Sequence, residues 1–293
     1  MTEPILGRLI TAMVTPFDEE GGVDLARAEQ LAARLVDEQL NDAVLVNGTT
    51  GEAPTTTDRE KAELVRVVKQ AVGDRANVLA GVGTFDTHHT IELCRQAAQA
   101  GADGLLTVTP YYSLPPQDAL VEHFQTVAGA TDLPMVLYDI PHRAGRPIEA
   151  ASLITLAEHP NIIGVKDAKN DIVASAQVMA ATDLHYYAGD DAKLLPLLGI
   201  GAVGVVGTST HFSGRRTAEL IEAWLRGDAA EALRIYRALL PVYTGVFATQ
   251  GVMMVKAGLA HQGFPVGGLR GPLRPASEQQ ARTFGAILDA ADL

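Results

Sequence analysis

A lysine closes one of the most apolar runs in the chain. In NIIGVKDAKND (161–171), Ile162, Ile163 and Val165 precede Lys166. Lysine is among the residues least often buried, so its place at the end of a core-like run needs an explanation. A neutral lysine amine attacks ketones to form an iminium, and burial disfavours the competing ammonium form. The apolar surroundings therefore predict that Lys166 is a nucleophile.

Several similar runs also end in residues that could carry chemistry. One run ends in NGTTGEA, which contains two threonines, and another ends in TPYYSLPP, which contains paired tyrosines. A third ends in YDIPHRAG, with a tyrosine and an arginine; the candidates are Thr49, Thr50, Tyr112, Tyr138 and Arg143. Taken singly, these residues are typical of turns, aromatic packing or solvated loops. Adjacent parallel strands lie about 4.8 Å apart. A tyrosine at 138 could therefore move protons as a carbinolamine on Lys166 becomes an imine.

Eight short β-rich runs alternate with amphipathic helical patterns along the chain. The candidate strands are LITAMVTP, AVLVNG, NVLAGVG, DGLLTVTP, PMVLYDIP, IIGVKDA, LHYYAGD and AVGVVGT. Several are almost entirely apolar, as in parallel strands covered on both faces. Leu25, Ala28, Leu31 and Leu35 illustrate the helical spacing between them. The pattern predicts an α/β fold, a (β/α)8 TIM barrel. A doubly wound sheet is the alternative, but its fingerprint, G-x-G-x-x-G between a strand and the helix that follows it, is missing.

Three further helical patterns follow the eighth strand, at roughly 228–240, 246–262 and 276–291. A barrel does not need them, so we expect a C-terminal helical appendage. The predicted organisation is a catalytic barrel over residues 1–226 and a three-helix region over 227–293. Because chemistry in such barrels lies at the carboxyl ends of the strands, the candidate residues should meet on one rim. Within the barrel, Asp58 and Thr87 are the predicted caps of two helices.

Composition limits the kinds of partner and compartment. The net charge of −12 and the pI near 5.1 argue against nucleic-acid binding, which requires a basic face. The N-terminal residues lack a basic region followed by an apolar run, and no 18-residue apolar segment occurs. We expect a cytoplasmic protein with no membrane association. The single cysteine, Cys94, cannot form an internal disulfide and is predicted to be a small buried hydrophobe.

Other catalytic motifs are missing from the sequence. It contains no P-loop, H-E-x-x-H, G-x-S-x-G or CxxC motif. His88 and His89 are adjacent, which is poor spacing for a shared helical face. Asp190 and Asp191 could bind a cation, but a helix cap is the better interpretation. We predict no metal and no organic cofactor.

Two motifs make the sequence similar to a known family. GTTGEAPTTTDRE and the segment YDIPHRAGRPI…GVKDA resemble the pyruvate-dependent class I aldolases, which include dihydrodipicolinate synthase and N-acetylneuraminate lyase. The resemblance extends over essentially the whole chain. The double threonine, the TPYYSLPP loop and the arginine in YDIPHR are typical of the synthase branch. The lyase branch usually carries serine-threonine in the first motif and lacks that arginine.

The resemblance implies condensation of pyruvate with aspartate 4-semialdehyde to 4-hydroxy-tetrahydrodipicolinate, on the route to diaminopimelate and lysine. It implies that Lys166 forms the Schiff base with pyruvate. Tyr138 would be its proton-transfer partner, and Thr49 would connect that phenol to Tyr112 of a neighbouring subunit. The implied assembly is a homotetramer, a dimer of dimers.

Substrate contacts follow from the same resemblance. Thr50 and the backbone amides of Thr49 and Thr50 would hold the pyruvate carboxylate, and Arg143 would grip the semialdehyde carboxylate as a fork. The carbonyl of Val206 would lie near the lysine amine, and Gly189 would belong to the same rim. The chain departs from the family pattern at two positions. It has Ala144 where serine or threonine is common, and Gly207 where serine is common.

Regulation and two alternative functions remain open. Lysine-inhibited members carry two histidines shortly after the first motif, where this chain has Asp58 and Lys61. We therefore predict weak or absent inhibition by lysine. A related aldolase that splits a 2-keto-3-deoxy sugar acid would keep Lys166 and Tyr138 but should not need Arg143. A non-catalytic small-molecule sensor is the other alternative. The sequence also leaves open whether Glu52 is a site residue or an anchor for its loop.

Overall fold

The computed structural model describes residues 3–293 and contains a closed barrel of eight parallel strands. Each strand pairs with the next along the chain, and the last pairs with the first. The strands are β1 (Leu9–Ala12), β2 (Ala43–Val46), β3 (Asn77–Gly81), β4 (Gly104–Val108), β5 (Met135–Asp139), β6 (Ile162–Asp167), β7 (His185–Ala188) and β8 (Gly204–Gly207). Every strand lies within one of the eight predicted runs, which confirms the (β/α)8 barrel.

Helices cover the outside of the barrel and continue after it. They are α1 (Leu25–Asp37), α2 (Asp58–Val72), α3 (Thr87–Gln99), α4 (Gln117–Ala128), α5 (Pro141–Ala144), α6 (Ala150–Leu156), α7 (Ile172–Ala181), α8 (Leu194–Leu198), α9 (Thr210–Leu225), α10 (Ala229–Gly245), α11 (Gly251–His261) and α12 (Glu278–Ala290). In α1, Ala28, Leu31 and Leu35 are fully buried, as the spacing predicts. None of the helices in the described part of the chain is both long enough and apolar enough to cross a membrane.

Two predicted helix caps lie one residue later than the observed ones. Helix α2 is capped by Thr57, whose hydroxyl accepts from the Glu60 amide while Glu60 closes a capping box. Helix α3 is capped by Asp86, whose carboxylate accepts from the His88 amide. Both capping residues have extended backbones, whereas Asp58 and Thr87 are already helical.

The chain after β8 forms the predicted C-terminal helices. Helices α10, α11 and α12 fall on the three expected segments, with α10 extending five residues further than expected and α11 beginning later. The helical appendage is thus confirmed. The division into separate units at residues 226 and 227 stays a prediction, and ion pairs described below cross that boundary.

The pairing of β5 with β6 sets the position of the candidate residues. Tyr138 is the register partner of Lys166, and Asp139 is the partner of Asp167. Because side chains alternate along a strand, the first pair faces the barrel interior and the second pair faces the surrounding helices. Gly164 allows the close approach of β7, since a Cβ there would lie 2.5 Å from the His185 carbonyl oxygen. The strand pairing therefore brings one phenol and one amine to the same level.

Candidate active site

A cavity of about 390 Å³ opens at the carboxyl ends of the strands. Six of the predicted site residues line it: Thr49, Thr50, Tyr138, Arg143, Lys166 and Gly189. They come from the loops or ends of β2, β5, β6 and β7. The barrel topology thus brings together residues that are more than 100 positions apart in the sequence.

Lys166 is buried at the base of this cavity. Its side chain is almost fully enclosed, and Nζ lies 4.2 Å from the centroid of the Tyr138 ring. Within residues 3–293, no carboxylate forms an ion pair with it. The pKa of Lys166 is lowered to about 8, chiefly by burial; Asp191 opposes the shift, and the positive charge of Arg143 contributes to it. Much more of the amine is therefore unprotonated at neutral pH than in an exposed lysine.

Tyr138 is equally buried beside this amine. Burial raises the pKa of its phenol well above the usual range, while the positive charge of Arg143 and a hydrogen bond with the Thr49 side chain lower it. The phenol therefore stays protonated at neutral pH. It can donate a proton to a hydroxyl group that leaves a carbon atom bonded to Lys166 Nζ, provided that a relay returns the proton to the phenol.

The turn after β2 carries the two threonines. Within this turn, the Gly51 carbonyl accepts a hydrogen bond from the Thr15 hydroxyl at 2.6 Å, and the Glu52 amide donates to the Thr49 carbonyl at 3.2 Å. The Thr50 hydroxyl lies 3.4 Å from that of Thr208. In the described chain, neither the Thr49 nor the Thr50 amide donates to a protein acceptor. Two N–H groups are thus available for an anion, such as a carboxylate.

Glu52 anchors this turn and is not a site residue. It has a left-handed backbone with φ 55°, and its carboxylate is 1% exposed. Lys256 of α11 pairs with it at 2.9 Å, and the Arg270 amide donates to it at 3.0 Å. The Arg270 side chain also binds Glu60. Helix α11 and the loop after it therefore hold the turn, and the open question about Glu52 is answered in favour of anchoring.

Arg143 lies on the short helix α5 at the mouth of the cavity. It is exposed, and its guanidinium donates to the side-chain oxygen of Gln250 at 3.0 Å. The cavity also includes residues that were not predicted: Asn170, Thr208, Thr244 and Phe247. Asn170 lies in the loop after β6 and Thr208 directly follows β8, so the rule that found Lys166 could have found them. The last two and Gln250 come from the C-terminal region, and only the folded chain places them here.

Two predicted residues do not line the cavity in this chain. Tyr112 is 93% exposed, on a backbone with φ 73°, and is not among the residues that line the cavity. Val206 is fully buried in β8, in the barrel interior. Gly189 is at the rim, where a Cβ would lie 2.9 Å from the Asp167 carbonyl oxygen. Glycine there keeps the backbone of β7 close to that of β6.

Both members of the acidic pair after β7 accept hydrogen bonds from nearby backbone amides, and Asp190 also lines the cavity. Asp190 caps a short 3-10 turn by accepting from the Ala192 amide at 3.0 Å, as predicted for a cap. Asp191 is buried and accepts from the Thr208 and Ser209 amides and, at 2.6 Å, from the Ser209 hydroxyl. A Cβ on Gly207 would lie 2.6 Å from Asp191, which explains why glycine replaces the more usual serine.

Neither the adjacent histidines, His88 and His89, nor Cys94 lines the 390 Å³ cavity. His89 binds Asp58 at 2.9 Å, and His88 is exposed. Residues 3–293 contain no cluster of three or more His, Cys, Asp or Glu side chains placed to hold a metal ion. Cys94 is fully buried in α3, and burial raises the pKa of its thiol to about 12, which confirms that it is an inert hydrophobe.

A second cavity, of about 440 Å³, adjoins the first. The two share Thr49, Tyr138, Ile140 and Arg143. The far wall of the second cavity carries Asp58 and Lys61, whose Nζ donates to the Thr56 carbonyl. Burial lowers the pKa of Lys61, and Asp58 opposes that shift.

The lowered pKa of Lys166 predicts how adduct formation depends on pH. Roughly 10% of an amine with a pKa of 8 is neutral at pH 7, against roughly 0.03% of one with a pKa of 10.5. We expect the initial rate of borohydride trapping of a 2-oxoacid on Lys166 to rise about tenfold from pH 6 to 7 and to level off above pH 8. A rate that still rose about tenfold between pH 9 and 10 would contradict this.

Comparison with known proteins gives a consistent result. Residues 5–291 match the dihydrodipicolinate synthetase family. A 4-hydroxy-tetrahydrodipicolinate synthase of Cutibacterium acnes is 61% identical, over 100% of both chains. The crystal structure of DHDPS from Cyanidioschyzon merolae with lysine bound has a TM-score of 0.96 at 41% identity, covering 98% of this chain and 99% of that one. A chloride-inhibited dihydrodipicolinate synthase from Acinetobacter baumannii complexed with pyruvate has a TM-score of 0.94 at 31% identity and the same coverage.

Proposed function

Because this chain belongs to the dihydrodipicolinate synthetase family, we propose that it condenses pyruvate with aspartate 4-semialdehyde to form 4-hydroxy-tetrahydrodipicolinate. This makes it a lyase of the class I aldolase type, acting in diaminopimelate and lysine biosynthesis. The observation that carries the proposal is the buried amine of Lys166 beside the Tyr138 phenol, at the carboxyl end of a barrel strand.

The first half-reaction forms the Schiff base. The neutral amine of Lys166 attacks the pyruvate ketone to give a carbinolamine, which loses water as Tyr138 donates a proton to the departing hydroxyl. The amides of Thr49 and Thr50 and the Thr50 hydroxyl hold the pyruvate carboxylate. Gly189 at the rim and the backbone carbonyl of Val206 near the amine complete the proposed binding residues. The chemistry needs no metal and no external cofactor.

The second half-reaction forms the carbon–carbon bond. The positive iminium acidifies the pyruvate methyl group, and loss of a proton gives an enamine that attacks the aldehyde carbon. The amine of the semialdehyde then attacks the iminium carbon, closes the ring and releases Lys166. Arg143, at the cavity mouth, would bind the carboxylate of the semialdehyde as a bidentate fork. This positions the aldehyde over the enamine.

The related sugar-acid aldolase is not favoured. The Cutibacterium acnes relative, identical at 61% of positions, is a 4-hydroxy-tetrahydrodipicolinate synthase, and Arg143 provides the positive charge that the semialdehyde carboxylate needs. The two functions separate in a direct assay. We expect turnover of pyruvate with aspartate 4-semialdehyde to exceed cleavage of 2-keto-3-deoxy sugar acids at least about 10²-fold in kcat/KM. Comparable values for both reactions, or faster sugar-acid cleavage, would overturn the proposal.

The active site is proposed to require a second subunit. The exposed Tyr112 would enter the site of a neighbouring protomer and join Thr49 and Tyr138 in a proton relay. This exchange requires at least a dimer, and the homotetramer, arranged as a dimer of dimers, is proposed from the resemblance to the family. A cytoplasmic location is part of the same proposal, since the reaction belongs to amino-acid biosynthesis.

Complementation between two damaged subunits tests this exchange. Lys166→Met and Tyr112→Phe should each be nearly inactive alone. Mixed dimers should regain activity because the intact Lys166 of one subunit meets the intact Tyr112 of the other. Random co-assembly predicts about one quarter of the wild-type activity. No gain over the Tyr112→Phe protein, or a fully active monomer in light scattering, would contradict the proposal.

Lysine is expected to be a poor inhibitor. The ammonium of Lys61 lines the 440 Å³ cavity, where it would repel the cationic side chain of lysine. Repulsion between like charges should weaken the affinity for lysine by about one to two powers of ten. We therefore expect less than half inhibition at about 1 mM lysine. Steady-state rates with added lysine measure this. Half inhibition below that concentration would show that the cavity accommodates the ligand despite its charge.

A further inference from the structure

Two carboxylates stand directly behind the reactive pair. Asp139 follows Tyr138, and Asp167 follows Lys166, so both face away from the barrel interior. Asp139 is fully buried and pairs with Lys169, whose Nζ lies 3.3 Å from Oδ2. The Lys169 side chain is itself only 12% exposed. This ion pair is not part of the cavity and has no role in the chemistry described above.

The ion pair closes a ring with the backbone of Ile148. The Ile148 amide donates to Asp139 Oδ1 at 3.1 Å, and Lys169 Nζ donates to the Ile148 carbonyl at 3.1 Å. Asp139 and Ile148 bracket residues 140–147, the segment that carries Arg143. Three contacts therefore join the two ends of this segment to each other and to the loop that follows Lys166. We call this arrangement, formed by Asp139, Lys169 and the Ile148 backbone, the clasp.

Arg143 has little else to hold it. Its side chain is exposed, and its one side-chain hydrogen bond in the described chain is to Gln250, which is also exposed. A guanidinium that binds the substrate carboxylate with two hydrogen bonds must keep its position relative to Lys166 to within about 1 Å. The clasp connects the Arg143 segment to the loop that follows Lys166, in addition to the hydrogen bond from the Ala168 amide to the Asp139 carbonyl.

Stability alone does not require charges at this place. Burial raises the pKa of Asp139 to about 6, with Lys169 opposing the shift and Asp167 adding to it. Buried ion pairs can often be replaced by apolar pairs without loss of stability, because desolvation offsets their attraction. Asp167 is occupied elsewhere, since it accepts from the Ser175 hydroxyl and, at 2.9 Å, from the Lys169 amide. The hydrogen bonds that the pair makes with the Ile148 backbone therefore account for its presence better than a gain in folding stability does.

We propose that Asp139 and Lys169 are positioning residues for Arg143, and that they set the affinity for the second substrate and leave pyruvate binding unchanged. The inference rests on the proposed function, since it assigns the semialdehyde carboxylate to Arg143. It extends that function by naming residues outside the cavity that control one substrate only.

The test separates the two substrates in the Lys169→Met protein. We expect KM for aspartate 4-semialdehyde to rise about tenfold, equivalent to about 1.4 kcal/mol, with kcat within about twofold of wild type. The pyruvate concentration that gives half-maximal borohydride trapping on Lys166 should stay unchanged. In an Arg143→Met background, Lys169→Met should raise KM no further, because the two residues act through the same contact.

A second ion pair provides the matched control. Lys69 binds Asp103 at 2.8 Å at the opposite end of the barrel, and Asp103 likewise accepts a backbone N–H, from Val78. Lys69→Met should lower stability and change neither substrate constant. If Lys169→Met folds poorly, Asp139→Asn/Lys169→Met removes both buried charges. This double variant should regain melting temperature while its KM for the semialdehyde stays high.

Two results would overturn the inference. One is a Lys169→Met protein, or the double variant, whose constants match those of Lys69→Met. The other is a rise in the pyruvate constant equal to the rise in KM for the semialdehyde, which would indicate general loosening of the site. Failure of the proposed function is a separate outcome, since the wild-type protein would then not turn over aspartate 4-semialdehyde at all.

Discussion

Lys166→Met is expected to lower kcat by at least about 10³-fold and to abolish the borohydride-trapped pyruvate adduct. The substitution keeps the length and the apolar stem of the side chain but removes the nucleophile, so the covalent route is lost. Because Lys166 is buried without a carboxylate partner, its removal leaves no unpaired charge behind. We therefore expect the melting temperature to stay the same or to rise.

Mass spectrometry after borohydride treatment is the direct measurement for this variant. Wild-type protein should gain one reduced pyruvate per chain, on the peptide that contains Lys166. Lys69→Met is the control, because it removes a lysine at the other end of the barrel. An adduct that persists in Lys166→Met, or that maps to another lysine, would refute the assignment of the nucleophile.

Tyr138→Phe is expected to lower kcat by about 10²-fold to 10³-fold, the range typical of a lost general acid–base group. The phenylalanine ring preserves the packing 4.2 Å from Lys166 Nζ, so the loss reports on the hydroxyl alone. The Schiff base should still form, since the amine remains, but its rate of formation should fall along with kcat. A stopped-flow or quenched trapping experiment with pyruvate measures that rate.

The control for this variant is Tyr236→Phe. Tyr236 donates to the Ala192 carbonyl at 2.8 Å and lies outside the cavity walls. Its hydroxyl should matter for stability and have little effect on rate. If Tyr138→Phe formed the pyruvate adduct at the wild-type rate and kept its kcat, proton transfer would have to be assigned to another group.

The C-terminal region contributes to the site more than its position after the barrel suggests. Lys256 and Arg270 hold Glu52 beneath the two threonines, and Gln250 contacts Arg143. The turn that would bind the first substrate and the arginine that would bind the second are thus both held by residues beyond position 226. Removal of the C-terminal region should therefore impair catalysis even if the barrel remained folded.

Local sequence patterns were sufficient for the barrel and for the reactive pair. Eight apolar runs separated by helical periodicity imply parallel strands that are buried on both faces. The rules for connections between strands leave only a few topologies in which these strands can form one sheet. Tyr138 and Lys166 were predictable because each ends such a run, and consecutive strands of a barrel are neighbours. Their pairing follows from the order of the strands, which is a property of the sequence itself.

The contacts that hold these residues in place were decided by the tertiary structure. Arg143 and Gln250 are 107 positions apart, and Glu52 and Arg270 are 218 apart. No local periodicity relates such residues, since their distance depends on how α11 and the loop after it pack on the closed barrel. The same holds for the clasp, where Lys169 would be taken from the sequence for a solvated loop residue. Hydrophobic periodicity encodes which face of an element is buried, whereas the partner of a buried charge is known only once the elements have been packed.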